Sequence, residues 1–159
     1  MQIVPVPYDH PDATKLNDLV QQEYVERYGE SDLTEMDPRQ FDPPHGLYLL
    51  AYDAHGSPVA SGGWRVQDRI DEGYATGDAE LKRMYVVPAA RGLGLARRIL
   101  ATLEDSARAA GRVRMVLETG TEQPEAMALY ASCAYALQEQ KFGFYRFHTE
   151  SRCYTKALA

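Results

Sequence analysis

Between Asp12 and Tyr28 the apolar residues Leu16, Leu19, Val20, Tyr24 and Tyr28 recur with helical spacing. Asp12 is placed to cap this helix and Gly29 to stop it. The stretch from Glu30 to Gly46 is rich in Asp and Pro and reads as a long loop with a short helical turn, the kind of segment that lines a substrate site. Two apolar runs, Leu47 to Ala54 and Val59 to Val66, are parted by His55-Gly56-Ser57-Pro58, which predicts a hairpin, and Ala79 to Val87 predicts a third strand. A helix from Gly94 to Ala110 carries Leu95, Ile99, Leu100, Leu103 and Ala107 on one side, with Gly111 as its C-cap. Val113 to Glu118 is a short strand, so strand, helix and strand predict a right-handed parallel crossover. Pro124 suits the first turn of a helix ending near Tyr135, and Phe142 to Phe147 and Arg152 to Leu158 read as closing strands.

These elements predict an α/β (α+β) fold with a mixed central β-sheet flanked by helices. A chain of 159 residues at 45% hydrophobic content buries one core, so residues 1–159 are expected to form one domain. Met1 to Leu16 is broken by Pro5, Pro7 and Pro11, no apolar run approaches the roughly 20 residues of a membrane span, and a soluble, cytoplasmic protein is expected. Cys133 and Cys153 lack metal-ligand spacing and read as reduced structural thiols, and the four histidines, His10, His45, His55 and His148, show no cluster, so no metal is expected.

Charge is unevenly placed. Residues 1–80 hold 16 acidic and 5 basic side chains, whereas residues 81–159 hold 7 acidic and 12 basic. A basic half suits an anionic cofactor, and an acidic half either attracts a cationic amine or is a solvated surface. With a net charge of -6 and no basic stripe interleaved with aromatics, nucleic-acid binding is not expected.

The densest chemistry lies in Val86-Val87-Pro88-Ala89-Ala90-Arg91-Gly92-Leu93-Gly94-Leu95-Ala96, where an apolar strand enters a turn of small residues and then a helix. Free N–H groups and the helix dipole at such a start favour a pyrophosphate, although the same glycines also serve plain loop geometry. From Lys82 to Arg98 every charged side chain is cationic. There is no G-x-x-x-x-G-K-[ST], and Arg97 stands where a dinucleotide G-x-G-x-x-G motif needs its last Gly or Ala.

The remaining pattern, Arg91-x-x-Gly94-x-Ala96, resembles the Q/R-x-x-G-x-G/A signature of the GNAT superfamily of N-acetyltransferases. The strand Ala79 to Pro88 resembles the central strand of that family, and Gln123-Pro124-Glu125-Ala126-Met127-Ala128-Leu129-Tyr130 resembles its N-x-x-A-x-x-L-Y helix. The resemblance spans residues 79 to about 135 and implies acetyl-CoA as cosubstrate. Its pyrophosphate would lie on Arg91, Gly92, Gly94, Leu95 and Ala96, its pantetheine arm on the main chain of Met84 and Val86, and Gln123 would stand for the family's Asn. Ala134 replaces the usual Gly before the aromatic Tyr135, so the turn there is expected to differ.

An alkylamine must lose a proton before it attacks a thioester. Glu80, eleven residues before Arg91, matches the position of a catalytic glutamate in some family members; its other reading is a carboxylate paired with Lys82 or an arginine. Glu118 is the second candidate base. Tyr130 is the candidate acid for the departing thiolate, the alternative being a tyrosine that packs. Tyr24, Tyr28, Phe41, Trp64 and Tyr145 are candidates for an aromatic pocket wall or for core. The expected activity is transfer of an acetyl group to a primary amine, of a small molecule first and of a peptide or protein as the alternative. An acyl-CoA-binding module without turnover is the third reading. Exposed closing strands make a homodimer the expected assembly.

Overall fold

Burial on both faces explains why β2 (Gly46–Tyr52) reads as an apolar run: Leu47, Leu49 and Ala51 join one core cluster, Tyr48, Leu50 and Tyr52 another. The computed structural model describes residues 1–158. In chain order they form β1 (Gln2–Pro5), α1 (Pro11–Tyr28), β2, β3 (Pro58–Val66), β4 (Asp78–Val86), α2 (Leu95–Ala109), β5 (Arg114–Gly120), α3 (Pro124–Ser132), β6 (Ala136–Gln138) and β7 (Ser151–Ala157). The seven strands make one sheet of order β1-β2-β3-β4-β5-β7-β6, antiparallel except between β4 and β5.

The amphipathic face anticipated for α2 is buried through Leu95, Ile99, Leu100, Leu103 and Ala107. Full burial of one leucine such as Leu103 contributes about 2 kcal/mol, so this stripe fixes the helix on the sheet. Ala13 and Leu16 of α1 pack with Phe41, Tyr48 and Leu50 in the second cluster. No helix among the described residues is long and apolar enough to cross a membrane.

Several boundaries differ from the sequence reading. His10, not Asp12, caps α1, accepting from Asp12 N on Nδ1 at 3.0 Å; Asp12 instead accepts from Tyr52 Oη at 2.6 Å. β1 and β6 escape a reading based on periodicity because they span only four and three residues. Residues 142–147 form turns rather than a strand: Gly143, at φ +88°, donates its N–H to Glu72 O at 2.8 Å, and Arg146 N and His148 N close turns on Gly143 O and Tyr145 O. α3 ends at Ser132, because Ala134 adopts φ +72° and turns the chain toward β6.

Strand β4 positions the site. Its register with β3 slips between Ser61 and Gly63, and Arg83 takes φ +60° in the resulting bulge. Its pairing with β5 covers only Asp78, Ala79 and Glu80 against Arg114, Met115 and Val116. Asp78, fully buried, locks that short ladder by accepting two hydrogen bonds from Arg114, each 2.8 Å. Beyond Glu80 the two strands diverge, and a cleft opens between them.

Candidate active site

The cleft has a volume of about 430 Å³. Leu81, Lys82, Arg83 and Met84 line it from β4, and Leu117, Glu118, Thr119 and Gly120 from β5. α1 contributes Tyr24 and Tyr28, and α3 contributes Ala126 and Tyr130.

Downstream of β4, a short 3-10 turn over Pro88–Ala90 leads to Gly92 and Gly94 at φ +82° and +79°, a conformation that L-residues avoid. Open space surrounds both glycines. The first hydrogen bond of α2 runs from Arg98 N to Gly94 O at 3.1 Å. Among the described residues no acceptor meets the N–H groups of Gly92, Leu93, Gly94, Leu95, Ala96 or Arg97. Six consecutive free amides at a helix start fit a pyrophosphate, so the expected residues Gly92, Gly94, Leu95 and Ala96 stand in one cradle. The Arg91 side chain turns back from it: Nε donates to Val86 O at 2.9 Å and Nη2 to Glu23 Oε1 at 3.2 Å. Of the two main-chain positions expected to meet the pantetheine arm, Met84 lines the cleft, while the Val86 carbonyl is engaged by Arg91. Gln123 caps the start of α3 beside the cleft, its Oε1 accepting from Tyr28 Oη at 3.1 Å.

The two candidate bases have opposite surroundings. Glu80 is 2% exposed and does not line the cleft. Its Oε1 accepts from Arg65 Nε at 2.8 Å and Gln67 Nε2 at 3.2 Å, and its Oε2 from Tyr74 Oη at 3.1 Å. Burial alone would raise its proton affinity, but Lys82 and then Arg65, with these hydrogen bonds, hold the carboxyl below its ordinary value. Glu118 lines the cleft and accepts a long bond from Ser151 Oγ at 3.3 Å, with the Tyr145 backbone N–H also directed at the carboxyl. Burial, with the nearby charge of Glu80, pushes it up to about 7 against the pull of Lys82.

Tyr130 lines the cleft from α3 with its ring 5.8 Å from that of Tyr135. Burial first, then the neighbouring Tyr24, raises its proton affinity and keeps it a neutral phenol. Of the five aromatics considered, Tyr24, Tyr28 and Tyr145 line the cleft, whereas Phe41 stacks on Tyr8 in the core and buried Trp64 donates to Ser106 Oγ.

The sequence reading missed the pillar formed by Asp32, which pairs with Lys82 Nζ at 3.2 Å and Arg83 Nη1 at 2.7 Å and ties the loop after α1 to the bulge of β4. The same loop meets the turns before β7 where Leu33 N donates to Tyr145 Oη at 2.7 Å. His148 also lines the cleft, placed there by those turns. None of these pairings leaves a local sequence signal, since the partners are 50 or more residues apart.

A family model for the acetyltransferase (GNAT) family matches residues 13–135. An N-acetyltransferase of Schizosaccharomyces pombe described as uncharacterised is 30% identical over 129 residues, covering 76% of this chain and 75% of that protein. An IAA acetyltransferase of Azospirillum brasilense is 48% identical over 60 residues; the match takes in 38% of this chain and only 39% of that protein's length. A solved acyl-CoA N-acyltransferase structure from Klebsiella pneumoniae superposes with a TM-score of 0.79 at 25% identity, covering 99% of this chain and 97% of that one. An aminoglycoside 6'-N-acetyltransferase solved with coenzyme A shares the fold at a TM-score of 0.67 and 15% identity, covering 100% and 98%. With the diverging parallel strands and the amide cradle as its structural marks, the chain belongs to the GNAT acetyltransferase family.

Proposed function

We propose that this protein transfers the acetyl group of acetyl-CoA to the primary amine of a small cationic molecule, with Glu118 rather than Glu80 as general base and Tyr130 as general acid. The observation that carries the reading is the cleft beside β4, with an accessible carboxyl of raised proton affinity inside it, and the free amides of the Gly92–Arg97 turn that follows the same strand. When bound, acetyl-CoA supplies an activated thioester. Glu118 takes a proton from the substrate ammonium and the free amine attacks the thioester carbon; as the C–S bond breaks, Tyr130 gives its hydroxyl proton to the departing sulfur, and the proton shed by the new amide nitrogen restores the phenol. Glu80 is poorly suited to the first step because its carboxylate is buried and already held by three donors.

Charge around the cleft favours a cation. Lys82 and Arg83 are spent on Asp32, and Arg27 on Glu23 and Glu125. Glu30, Glu118, Glu122 and Glu150 line the same space without an ion pair among the described residues. The test is calorimetric titration with acetyl-CoA followed by turnover of spermidine, kanamycin, an amino acid and a lysine peptide. Saturable binding with turnover of spermidine or kanamycin is expected, and a roughly 100-fold or greater loss of kcat in Glu118→Gln. Turnover confined to the peptide would replace the small-molecule reading, and binding with no turnover of any amine would leave an acyl-CoA-binding module.

A further inference from the structure

Gly143 is the point at which two oxygens from different parts of the chain meet. A side chain there would collide with Glu118 Oε1 and with Tyr74 Oη, so both oxygens lie against the same face of this glycine and are neighbours of one another. Glu118 Oε2 accepts from Ser151 Oγ at 3.3 Å, and the backbone N–H of Tyr145 also faces the carboxyl; Tyr74 makes no hydrogen bond to it. Tyr74, 4% exposed, brings a hydroxyl to the same place, yet its hydrogen is directed at Glu80 Oε2, 3.1 Å away. Glu80 in turn is fixed by Arg65, itself only 4% exposed, and by Gln67.

We infer that Glu80 is a positioning residue for the base: clamped by Arg65, it claims the Tyr74 hydrogen and thereby turns an acceptor, not a donor, toward Glu118. This rests on the reading of Glu118 as base and deepens it. A carboxylate at position 118 then gains no hydrogen bond from Tyr74, whereas a carboxylic acid can donate one to the phenol oxygen. Both the charge of Glu80 and the direction of the Tyr74 hydroxyl favour the protonated form. The opposing groups are few. Lys82 from β4 attracts the carboxylate but is bonded to Asp32, Ser151 from β7 donates its long bond, and the Tyr145 N–H from the turns before β7 donates a second. Cys153 stands opposite Glu118 in the β5–β7 register as a buried, un-ionised thiol, and Tyr145, His148 and Glu150 complete the lining from the turns before β7. The arrangement explains why a fully buried, saturated carboxylate stands one strand away from the base: it sets the pH at which the base is free.

The experiment is a pH titration of the protein labelled with ¹³Cδ-glutamate, without ligand, with the Glu118 resonance assigned by its loss in Glu118→Gln. In the parent protein Glu118 is expected to titrate at about 7. In Glu80→Gln the midpoint falls by roughly one unit, and in Tyr74→Phe, which keeps the Arg65–Glu80 pair and so guards against a folding failure of the first variant, it falls by a smaller amount in the same direction. A midpoint unmoved or raised in the folded variants overturns the inference. The base assignment fails separately, if Glu118→Gln acetylates spermidine at the parent rate whatever the titration shows.

Discussion

Ala134 sits at φ +72°, in the left-handed region, where an L-residue brings its Cβ too close to the following carbonyl. The resemblance to acetyltransferases marked this position as one where glycine is usual, and the expectation was that the turn would differ. In this chain alanine itself takes the left-handed turn, with Tyr135 N bonded to Tyr130 O at 3.0 Å, and bears the strain. Ala134→Gly relieves about 1–2 kcal/mol of it and loses roughly half of that gain to the greater freedom of the unfolded glycine. The expected net is stabilisation by about 0.5–1 kcal/mol, seen as a rise of about 1–4 °C in the midpoint of thermal unfolding. An unchanged or lower midpoint would mean that the loop absorbs the strain elsewhere.

At the scale of elements, the site depends on where β4 and β5 stop pairing. Three residue pairs hold them together, and Asp78 with Arg114 forms the first. Asp78 is fully buried while its partner Arg114 reaches solvent, so Asp78→Asn, which leaves that arginine short of a carboxylate, is expected to cost about 1–2 kcal/mol, lowering the denaturant midpoint and weakening acetyl-CoA binding through a distorted cleft. Retention of both would show that β5 is held by β7 alone. Much of this architecture is legible locally: the α2 stripe, the hairpin and the Arg91–Ala96 turn each carry their signal within about a dozen residues. What escaped has a physical cause. β1 and β6 are too short for a period to show, and the apolar run from Phe142 to Phe147 bends because Gly143 must admit the Glu118 carboxyl. The resemblance put Glu80 before Glu118 as candidate base; the saturation of Glu80 by Arg65, Gln67 and Tyr74 and the accessibility of Glu118 exist only once the sheet is assembled.

Across the whole molecule, buried carboxyls on the two sides of the cleft pull stability in opposite directions with pH. For Asp32, burial is outweighed by Lys82 and Arg83, which hold its carboxyl far below the ordinary range. A depressed folded value adds stability above the unfolded value, lost as pH falls through the folded one. Glu118 has the reverse sign: its folded value near 7 lies above the ordinary 4.5, so between those two the native state binds more protons than the unfolded chain and stability declines as pH rises. With a net charge of -6 at pH 7 adding self-repulsion, maximal stability is expected on the mildly acidic side, near pH 5. Glu118→Gln removes the ionisation without altering the shape of the side chain. Its expected effect is little change in unfolding free energy at pH 5 and a gain of about 2 kcal/mol at pH 8, alongside the loss of turnover argued above. Denaturant unfolding of the parent and variant at the two pH values measures this directly. A difference that is the same at both would place the proton affinity of Glu118 in its ordinary range and remove it as a base poised for neutral pH.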